Sequence, residues 1–259
     1  MESRDRATAR VRFHGCDGTL LDAYMPEVVF PILKHTTVDR YEAVGTGFFV
    51  SEYGLFFTAA HVLVGNDNTA TLVVPQFLPG EHTFILRPIT RAYRHERTDV
   101  AVALAQPYYR ENTLIENRFL AVSEAPPRIG ENVTSFGYPD RLDVWSERDQ
   151  MTAVLLNPLS SVGTVIEERP NGLGSLYPGR LFDVALEARR GSSGSPVMDA
   201  NGHAVALISM SLEEEDGFAI AHAAPLMDIF PVRIARTTDA HGKCTDITVR
   251  QLLNGAPTL

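Results

Sequence analysis

The sequence predicts an all-β protein, of sandwich or barrel type, from two observations. First, short runs of β-branched, apolar or aromatic residues recur along the chain, with Gly, Pro, Asn or Asp in many of the connections. Second, long helical periods are rare: only Pro26 to Lys34 and Ala224 to Phe230 favour a short helix, and Pro231 ends the second. The clearest strand-like runs are residues 47–50, 55–58, 71–75, 83–87, 100–104, 132–136, 162–166, 182–186 and 205–209.

Composition and charge limit the function classes. The 259 residues are 44% apolar and 21% charged, which is ordinary globular usage and fits one two-lobed unit with a full core. The formal net charge of −9 repels phosphate backbones, so we expect no nucleic-acid partner. Apolar runs such as Val28 to Phe30 end far short of the roughly 20 residues that span a bilayer. Residues 1–12 lack the apolar stretch of a secretory signal. We therefore expect no membrane partner and, unless a signal has been removed, a cytoplasmic location.

The chain has two cysteines, Cys16 and Cys244, at opposite ends. Two thiols give no disulfide framework, which favours a reducing compartment. His14 and His241 lie close in sequence to the two cysteines and could complete a zinc site, although neither spacing is that of a standard zinc finger. A single end-to-end disulfide is a further alternative. Two unrelated free thiols is the interpretation we prefer, so we expect no metal and no cofactor.

The first candidate catalytic residue is His61, in the run Thr58-Ala59-Ala60-His61. It directly follows an apolar strand, and the small residues Ala59 and Ala60 allow the backbone to turn tightly. A single histidine after a strand is more often packed or solvated than catalytic. Here residues 45–50 precede as a hairpin partner, which places the imidazole at the rim of a sheet, where a general base can act.

Asp99 is the candidate acid, directly before the apolar strand Val100 to Leu104. An acid at the mouth of a strand can be buried against a neighbouring side chain. However, an acidic turn residue before a strand is common, so this motif carries little weight alone.

Ser193 is the candidate nucleophile, in the run Gly191-Ser192-Ser193-Gly194-Ser195-Pro196. A serine nucleophile needs an exposed hydroxyl, backbone N–H donors for the oxyanion, and glycines that permit the turn. A Ser/Gly linker has similar composition, but it would not continue directly into an apolar strand. The pattern is not the Gly-x-Ser-x-Gly elbow of α/β-hydrolases, because Ser195 occupies the last glycine position.

Together these motifs resemble the trypsin-like (chymotrypsin-fold) serine peptidases, and most closely the disulfide-free bacterial and HtrA-like branches. The likeness rests on residues 45–48, 58–61, 98–101 and 191–196, and it covers roughly Tyr41 to Pro231. The chain order His, Asp, Ser matches that fold and differs from the order in subtilisins and α/β-hydrolases.

The resemblance implies two perpendicular six-stranded antiparallel β-barrels, with the catalytic residues in the cleft between them. We expect an N-terminal extension (1–40), a peptidase domain (41–231), a C-terminal tail (232–259) and a short C-terminal helix. The lobes of the peptidase domain would span about 41–118 and 119–231, joined by the polar, turn-rich stretch from Gln106 to Arg118.

In such a peptidase Ser193 attacks the scissile carbonyl, His61 takes its proton, and Asp99 fixes the imidazole tautomer. The resemblance further implies an oxyanion hole formed by the backbone N–H groups of Gly191 and Ser193. Ser209 would support Asp99. The edge that Ser209 shares with Met210 and Ser211 would pair with the substrate backbone as an added strand.

The specificity pocket is harder to predict. Glu187 lies six residues before the nucleophile, where the family places its selector for basic residues, so an inward-facing Glu187 would favour Arg or Lys at the cleavage site. If Glu187 instead pairs with Arg189 or Arg190 at the surface, a small apolar pocket remains, formed by Ala188, Ile208 and Ala219. The family's pocket walls fall here on residues 187–190, 208–211 and 219–221.

The sequence departs from the family pattern in two places. Ser192 precedes the nucleophile where digestive zymogens carry Asp, so we expect activation by loop ordering or a regulatory partner rather than by a newly cut N-terminus. Only about thirty residues follow Phe230, too few for a PDZ domain, so we expect a relative without one.

The sequence therefore predicts a serine endopeptidase acting on protein or peptide substrates. The irregular stretches Tyr138 to Asp149 and Glu167 to Arg180 are predicted to be surface loops that wall the substrate. Two alternatives stay open: a catalytically inactive relative that binds a protein, and an acyl-transfer enzyme acting on esters.

Overall fold

The computed structural model of the protein describes most of the chain. The described residues are 10–14, 20–37, 40–64, 72–78, 84–139, 144–146, 152–154, 158–175, 177–213, 219–238 and 244–254. Cys16 and His241 of the possible zinc set lie outside these ranges. None of the helices that the structure describes is long and apolar enough to cross a membrane.

Twenty strands and three short helices make up the described chain. The strands are β1 Arg10–His14, β2 Leu20–Tyr24, β3 Val29–Thr37, β4 Arg40–Phe49, β5 Leu55–Ala59, β6 Leu72–Phe77, β7 Phe84–Arg94, β8 Val100–Ala105, β9 Tyr109–Arg110, β10 Thr113–Leu114, β11 Asn132–Gly137, β12 Val144–Ser146, β13 Thr152–Val154, β14 Leu159–Arg169, β15 Leu181–Ala185, β16 Pro196–Met198, β17 Ala204–Glu213, β18 Ala219–Pro225, β19 Arg233–Thr238 and β20 Cys244–Thr248. The helices are α1 Met25–Val28, α2 Ala60–Val64 and α3 Val249–Leu253, and a 3₁₀ turn spans Leu226–Asp228.

The strands close into two six-stranded antiparallel barrels, the chymotrypsin-like fold. The first has the order β4-β3-β6-β7-β8-β5 and is closed by the pairing of β5 with β4. The second has the order β11-β14-β15-β18-β17-β16 and is closed by the pairing of β16 with β11. Closure gives each barrel strand a neighbour on both sides, which is how short strands pair most of their backbone hydrogen bonds.

Different side chains fill the two barrels. Five phenylalanines with no exposed surface lie on the strands of the first barrel and pack in two groups. Phe30, Phe49 and Phe56 contact one another, and Phe48 contacts Phe57 on the opposite face. Their rings meet at tilted or edge-on angles, with the Phe30 and Phe49 centroids 4.4 Å apart. The second core is built from smaller groups, mainly Val and Ala on alternate positions of its strands.

A buried arginine fastens the first barrel to the connection between the lobes. Arg87 is 3% exposed, and its guanidinium donates to the side chains of Gln76 (2.7 Å) and Asn117 (2.6 Å) and to the carbonyls of Gln106 and Ala105. Burial lowers the pKa of Arg87 to about 10. Neutral acceptors thus satisfy the buried cation and tie β7 to the start and end of the connection.

The chain between residues 26 and 34 corrects one sequence prediction. We expected a short helix there, but only the single turn α1 is helical, and β3 begins at Val29. Apolar runs of this length fit either a helix or a buried strand, and pairing with β4 on one side and β6 on the other selects the strand. The first barrel therefore includes residues that the sequence division placed in the N-terminal extension.

Strand β12 joins the two lobes. It lies between β11 and β14 of the second barrel in sequence, yet it pairs with β4 of the first, Val144 opposite Tyr41 and Trp145 opposite Arg40. Residues 138–149, predicted to be a loop, therefore contain a strand. The predicted helix from Ala224 to Phe230 is only a 3₁₀ turn, since β18 continues to Pro225. A short C-terminal helix is present further along as α3, which begins with a capping box between Thr248 and Gln251.

Candidate active site

His61 and Asp99 meet because two strands of the first barrel run side by side. Ala59, the last residue of β5, lies opposite Val100, the first residue of β8. The residues just beyond these ends are therefore neighbours, and the Ala60 N–H donates to the Asp99 carbonyl at 3.2 Å. His61 follows on the first turn of α2, so strand register brings together two residues 38 positions apart.

The Asp99 carboxylate accepts three hydrogen bonds. The His61 backbone N–H donates to Oδ1 at 2.9 Å, and His61 Nδ1 lies 2.7 Å from Oδ2. The fully buried Ser209 hydroxyl donates to Oδ2 at 2.5 Å. The Asp99 side chain is 8% exposed and the His61 side chain 42%. The acid is thus buried and fixed, and the opposite face of the imidazole, with Nε2, is open to solvent.

The nucleophile loop begins with a tight turn. The Ser192 N–H donates to the Arg189 carbonyl at 2.9 Å, and Gly191 has φ +98° at the third turn position. A positive φ there is the requirement of a type II turn. The buried Ser192 hydroxyl accepts from the Arg189 N–H at 3.2 Å. The turn is therefore closed by neutral groups, in a loop where the family's zymogens use a charged Asp.

Gly194 lets the loop lie against the first barrel. It has φ +89°, and a Cβ atom at this position would stand 2.0 Å from the Thr46 carbonyl oxygen. The Thr46 N–H donates to the Ser193 carbonyl at 2.8 Å, and the Gly194 N–H donates to the Ile208 carbonyl at 2.7 Å. These bonds fix Ser193 between β4 of one barrel and β17 of the other.

Two donors and one hydroxyl define the centre of the cleft. Within the described residues, the backbone N–H groups of Gly191 and Ser193 have no protein acceptor, and both residues line the same cavity as His61. The Ser193 hydroxyl donates to the carbonyl of Ser209 at 3.1 Å. The hydroxyl must therefore give up this hydrogen bond before it can donate to His61.

The cavity has a volume of about 400 Å³. Of the predicted substrate-binding residues, Ile208, Ser209, Met210 and Ser211 line it, together with His61, Tyr177, Arg189, Arg190, Gly191 and Ser193. Glu187 and Ala188 lie outside the lining: Glu187 pairs with Arg189, and Ala188 is buried in the second core. Ala219 is the first residue of β18, and its side chain lies outside the described part of the chain.

Tyr177 is a lining residue that no motif marks. It lies in the stretch Glu167 to Arg180, which the sequence analysis selected as a possible substrate wall. The pKa of Tyr177 is raised, chiefly by burial and also by the negative charge of Asp99. The phenol is therefore a neutral hydrogen-bond donor close to the catalytic acid.

A second His–Asp pair lies in the second barrel. His222 Nδ1 is 2.7 Å from Asp183 Oδ1, and both residues are 2% exposed. Arg169 donates through Nε to both carboxylate oxygens, at 2.9 and 2.8 Å, and through Nη2 to Oδ2 at 2.5 Å. Burial would raise the pKa of Asp183, but the hydrogen bonds from Arg169 and His222 outweigh it and hold that pKa below its usual value.

Comparison with known proteins agrees with this geometry. The sequence profile of the trypsin-like peptidase domain matches residues 45–207, which include His61, Asp99 and Ser193.

Solved structures share the fold at low sequence identity. The MamO protease domain from Magnetospirillum magneticum superposes with a TM-score of 0.53 at 16% identity, over 77% of this chain and 92% of that one. The active form of the Rv3671c protease from M. tuberculosis superposes with a TM-score of 0.52 at 18% identity, over 78% of each chain. An inactive mutant form of Rv3671c gives 0.52 at 19% identity, over 79% of this chain and 83% of that one. With the profile covering most of its length, this chain belongs to the trypsin-like peptidase family.

Proposed function

We propose that the protein is a serine endopeptidase that cleaves protein substrates through an acyl-enzyme intermediate. The observation that carries the proposal is the state of Asp99: buried, and accepting from both the His61 ring and the Ser209 hydroxyl. A carboxylate oxygen 2.7 Å from Nδ1 favours the tautomer that carries its proton on Nδ1 and its lone pair on Nε2. A lone pair there is what a general base for Ser193 requires.

The chemistry follows from these positions. Ser193 Oγ forms a bond to the scissile carbonyl carbon while its proton passes to His61 Nε2. The resulting oxyanion accepts from the free N–H groups of Gly191 and Ser193. The C–N bond then breaks, His61 gives its proton to the leaving amine, and a water molecule repeats the sequence to release the acid.

The Ser209 carbonyl takes part both in substrate binding and in freeing the Ser193 hydroxyl. An extended peptide that pairs with the Ser209–Ser211 edge donates an N–H to this edge. The Ser209 carbonyl is the group that holds the Ser193 hydroxyl in the free protein. A bound peptide therefore competes for this carbonyl and favours rotation of the hydroxyl towards His61.

The geometry also favours one of the two specificity alternatives. Glu187 is bonded to Arg189 at the surface and outside the cavity lining, so it does not serve as a selector for basic residues. Ile208, one of the three residues of the apolar alternative, does line the cavity, so we expect small apolar side chains at the cleaved residue. A panel of peptide p-nitroanilides with Ala, Val, Leu, Arg or Lys in the last position measures this, and faster cleavage after Arg or Lys would contradict it.

A fluorophosphonate probe followed by peptide mass spectrometry tests the function itself. We expect an adduct on Ser193 in the wild-type protein and none in Ser193→Ala. Labelling without cleavage of any peptide p-nitroanilide, but with ester hydrolysis, would favour the acyl-transfer alternative. An unlabelled but folded wild-type protein would favour a latent or inactive relative, the state in which the Ser193–Ser209 hydrogen bond persists.

A further inference from the structure

The second His–Asp pair lies on the outside of its barrel. Phe182 and Val184, on either side of Asp183, belong to the second core, as do Ala221 and Ala223 on either side of His222. Since successive residues of a strand face opposite sides, Asp183 and His222 face away from that core. They are nevertheless almost fully buried. The segment that connects β14 to β15 begins at their third partner, Arg169.

The pair belongs to a row that crosses four strands. Glu167 of β14 lies opposite Asp183 of β15, Asp183 opposite His222 of β18, and His222 opposite Met210 of β17. Directly opposed residues on antiparallel strands share a face, with side chains in contact range. One end of the row is therefore Met210, which lines the catalytic cavity.

Next to Glu167, at the other end of the row, Arg169 leads into a second wall of the cavity. Arg169 is the last residue of β14 and donates to both oxygens of Asp183. The connection it starts carries Tyr177 and is held at its far end by ion pairing of Arg180 with Glu168. Inside it, the Leu173 N–H donates to the Tyr177 carbonyl at 2.8 Å.

One detail separates the cluster from an ordinary structural ion pair. His222 Nε2 is buried and has no hydrogen-bond partner among the described residues. An unpaired buried polar atom lowers stability, so Nε2 is a cost to the fold that an apolar side chain at this position would not carry. The histidine does add one interaction: its Nδ1 contacts Asp183, and it lies on β18, opposite Met210 of β17.

We infer that Arg169, Asp183 and His222 form a positioning cluster that sets the two walls of the substrate cleft, Met210 and Tyr177, relative to each other. The cluster touches neither substrate nor the reacting atoms. It acts on extended substrates, which contact both walls, and not on small acyl groups, which reach only Ser193 and its donors. The inference rests on the proposed peptidase function.

The test compares a long and a short substrate. For wild type, Asp183→Asn and His222→Leu, we would measure kcat and KM for a tetrapeptide p-nitroanilide and for p-nitrophenyl acetate. In both variants we expect KM for the tetrapeptide to rise about tenfold, since small misplacements of binding groups have effects of this order or larger. Hydrolysis of p-nitrophenyl acetate and fluorophosphonate labelling of Ser193 should stay within about twofold of wild type. His222→Gln retains a donor for Asp183 and should restore most of the tetrapeptide KM.

A control and a second variant protect against misfolding. Arg87→Lys disturbs a buried cation remote from the cavity, so it should lower stability without changing the ratio of the two activities. Tyr177→Ala should raise the tetrapeptide KM as Asp183→Asn does, and the double variant should show little additional loss because both changes act on one wall.

The outcomes distinguish the two proposals. Equal losses on both substrates, or independent effects of Tyr177→Ala and Asp183→Asn, would overturn the positioning role and leave the peptidase assignment intact. No labelling of wild-type Ser193 would overturn the peptidase assignment and with it the positioning role.

Discussion

The molecule contains two His–Asp pairs with the same contact, and only one of them is placed for catalysis. In both, a histidine Nδ1 lies 2.7 Å from a carboxylate oxygen. The His61 side chain is 42% exposed and shares a cavity with Ser193, whereas the His222 side chain is 3% exposed and its Nε2 has no partner among the described residues. A His–Asp contact therefore does not by itself make a general base. Access to Nε2 and a hydroxyl that can reach it make the difference.

Exchange of each histidine should give the largest contrast. His61→Gln removes the base and should lower kcat by about a million-fold, because base and nucleophile act as a unit. His222→Gln should lower kcat by less than about tenfold, since His222 acts only through binding. Single-turnover measurements on purified variants check this, and similar losses in both variants would contradict the distinction.

Substitution of the two carboxylates should give the same contrast in kcat: a large loss for Asp99 and little loss for Asp183. Asp99→Asn replaces the acceptor that fixes the imidazole tautomer by an amide and should lower kcat by about ten thousand-fold, with little change in stability. In the second barrel, Asp183→Asn should leave kcat for a small ester nearly unchanged.

The two substitutions should have the opposite order of effect on stability: Asp183→Asn should destabilise the protein more than Asp99→Asn. Asp183→Asn removes charge-assisted hydrogen bonds from Arg169, and hydrogen bonds to charged groups contribute about 1.5–3 kcal/mol, so the free energy of unfolding should fall by an amount of that order. Urea denaturation followed by circular dichroism measures the loss. If Asp99→Asn proved the more destabilising of the two, the second pair would not be the structural one.

Ser209→Ala should sharpen the account of the catalytic pair. It removes one of three hydrogen bonds to Asp99. A hydrogen bond to a charged group contributes about 1.5–3 kcal/mol, so we expect kcat to fall at least about tenfold. Ser161→Ala removes a buried hydroxyl that donates to the Glu187 carbonyl outside the cavity lining, so it is the matched control and should retain wild-type kcat.

The smallest effect is a dependence of stability on pH. The pKa of Asp183 is lower in the folded than in the unfolded protein. Its contribution is therefore fully present above the unfolded value, near 3.8, and is lost as pH falls through the folded value. Between neutral pH and pH about 3, wild type should lose more stability than Asp183→Asn. Parallel slopes for the two proteins would show that Asp183 is not a source of acid sensitivity.

The sequence predicted the fold through many short strands and motif order, and it named the residues that the structure brings together around Ser193. The second His–Asp pair could not be found this way. Asp183 and His222 alternate with apolar residues, a pattern typical of strand residues that face solvent, yet both are buried in the structure. Tyr177 lies in a stretch that composition marked as a loop, but the residue itself carries no signal. The prediction of a helix at residues 26–34 is wrong for a similar reason. The pairing of β3 with β4 and β6 depends on residues distant in sequence, which a local pattern does not include.

The strand that joins the lobes also gives the protein a built-in spectroscopic reporter. β12 adds to the edge of the first barrel from within the second, and it carries Trp145, the chain's single tryptophan. Pairing across about one hundred positions of sequence is a late, high-contact-order event in folding. Tryptophan emission should therefore follow the docking of one lobe on the other, while far-ultraviolet circular dichroism follows the barrels themselves. Coincident transitions in the two signals would mark a single cooperative unit, and an earlier change in emission would mark lobes that separate before they unfold.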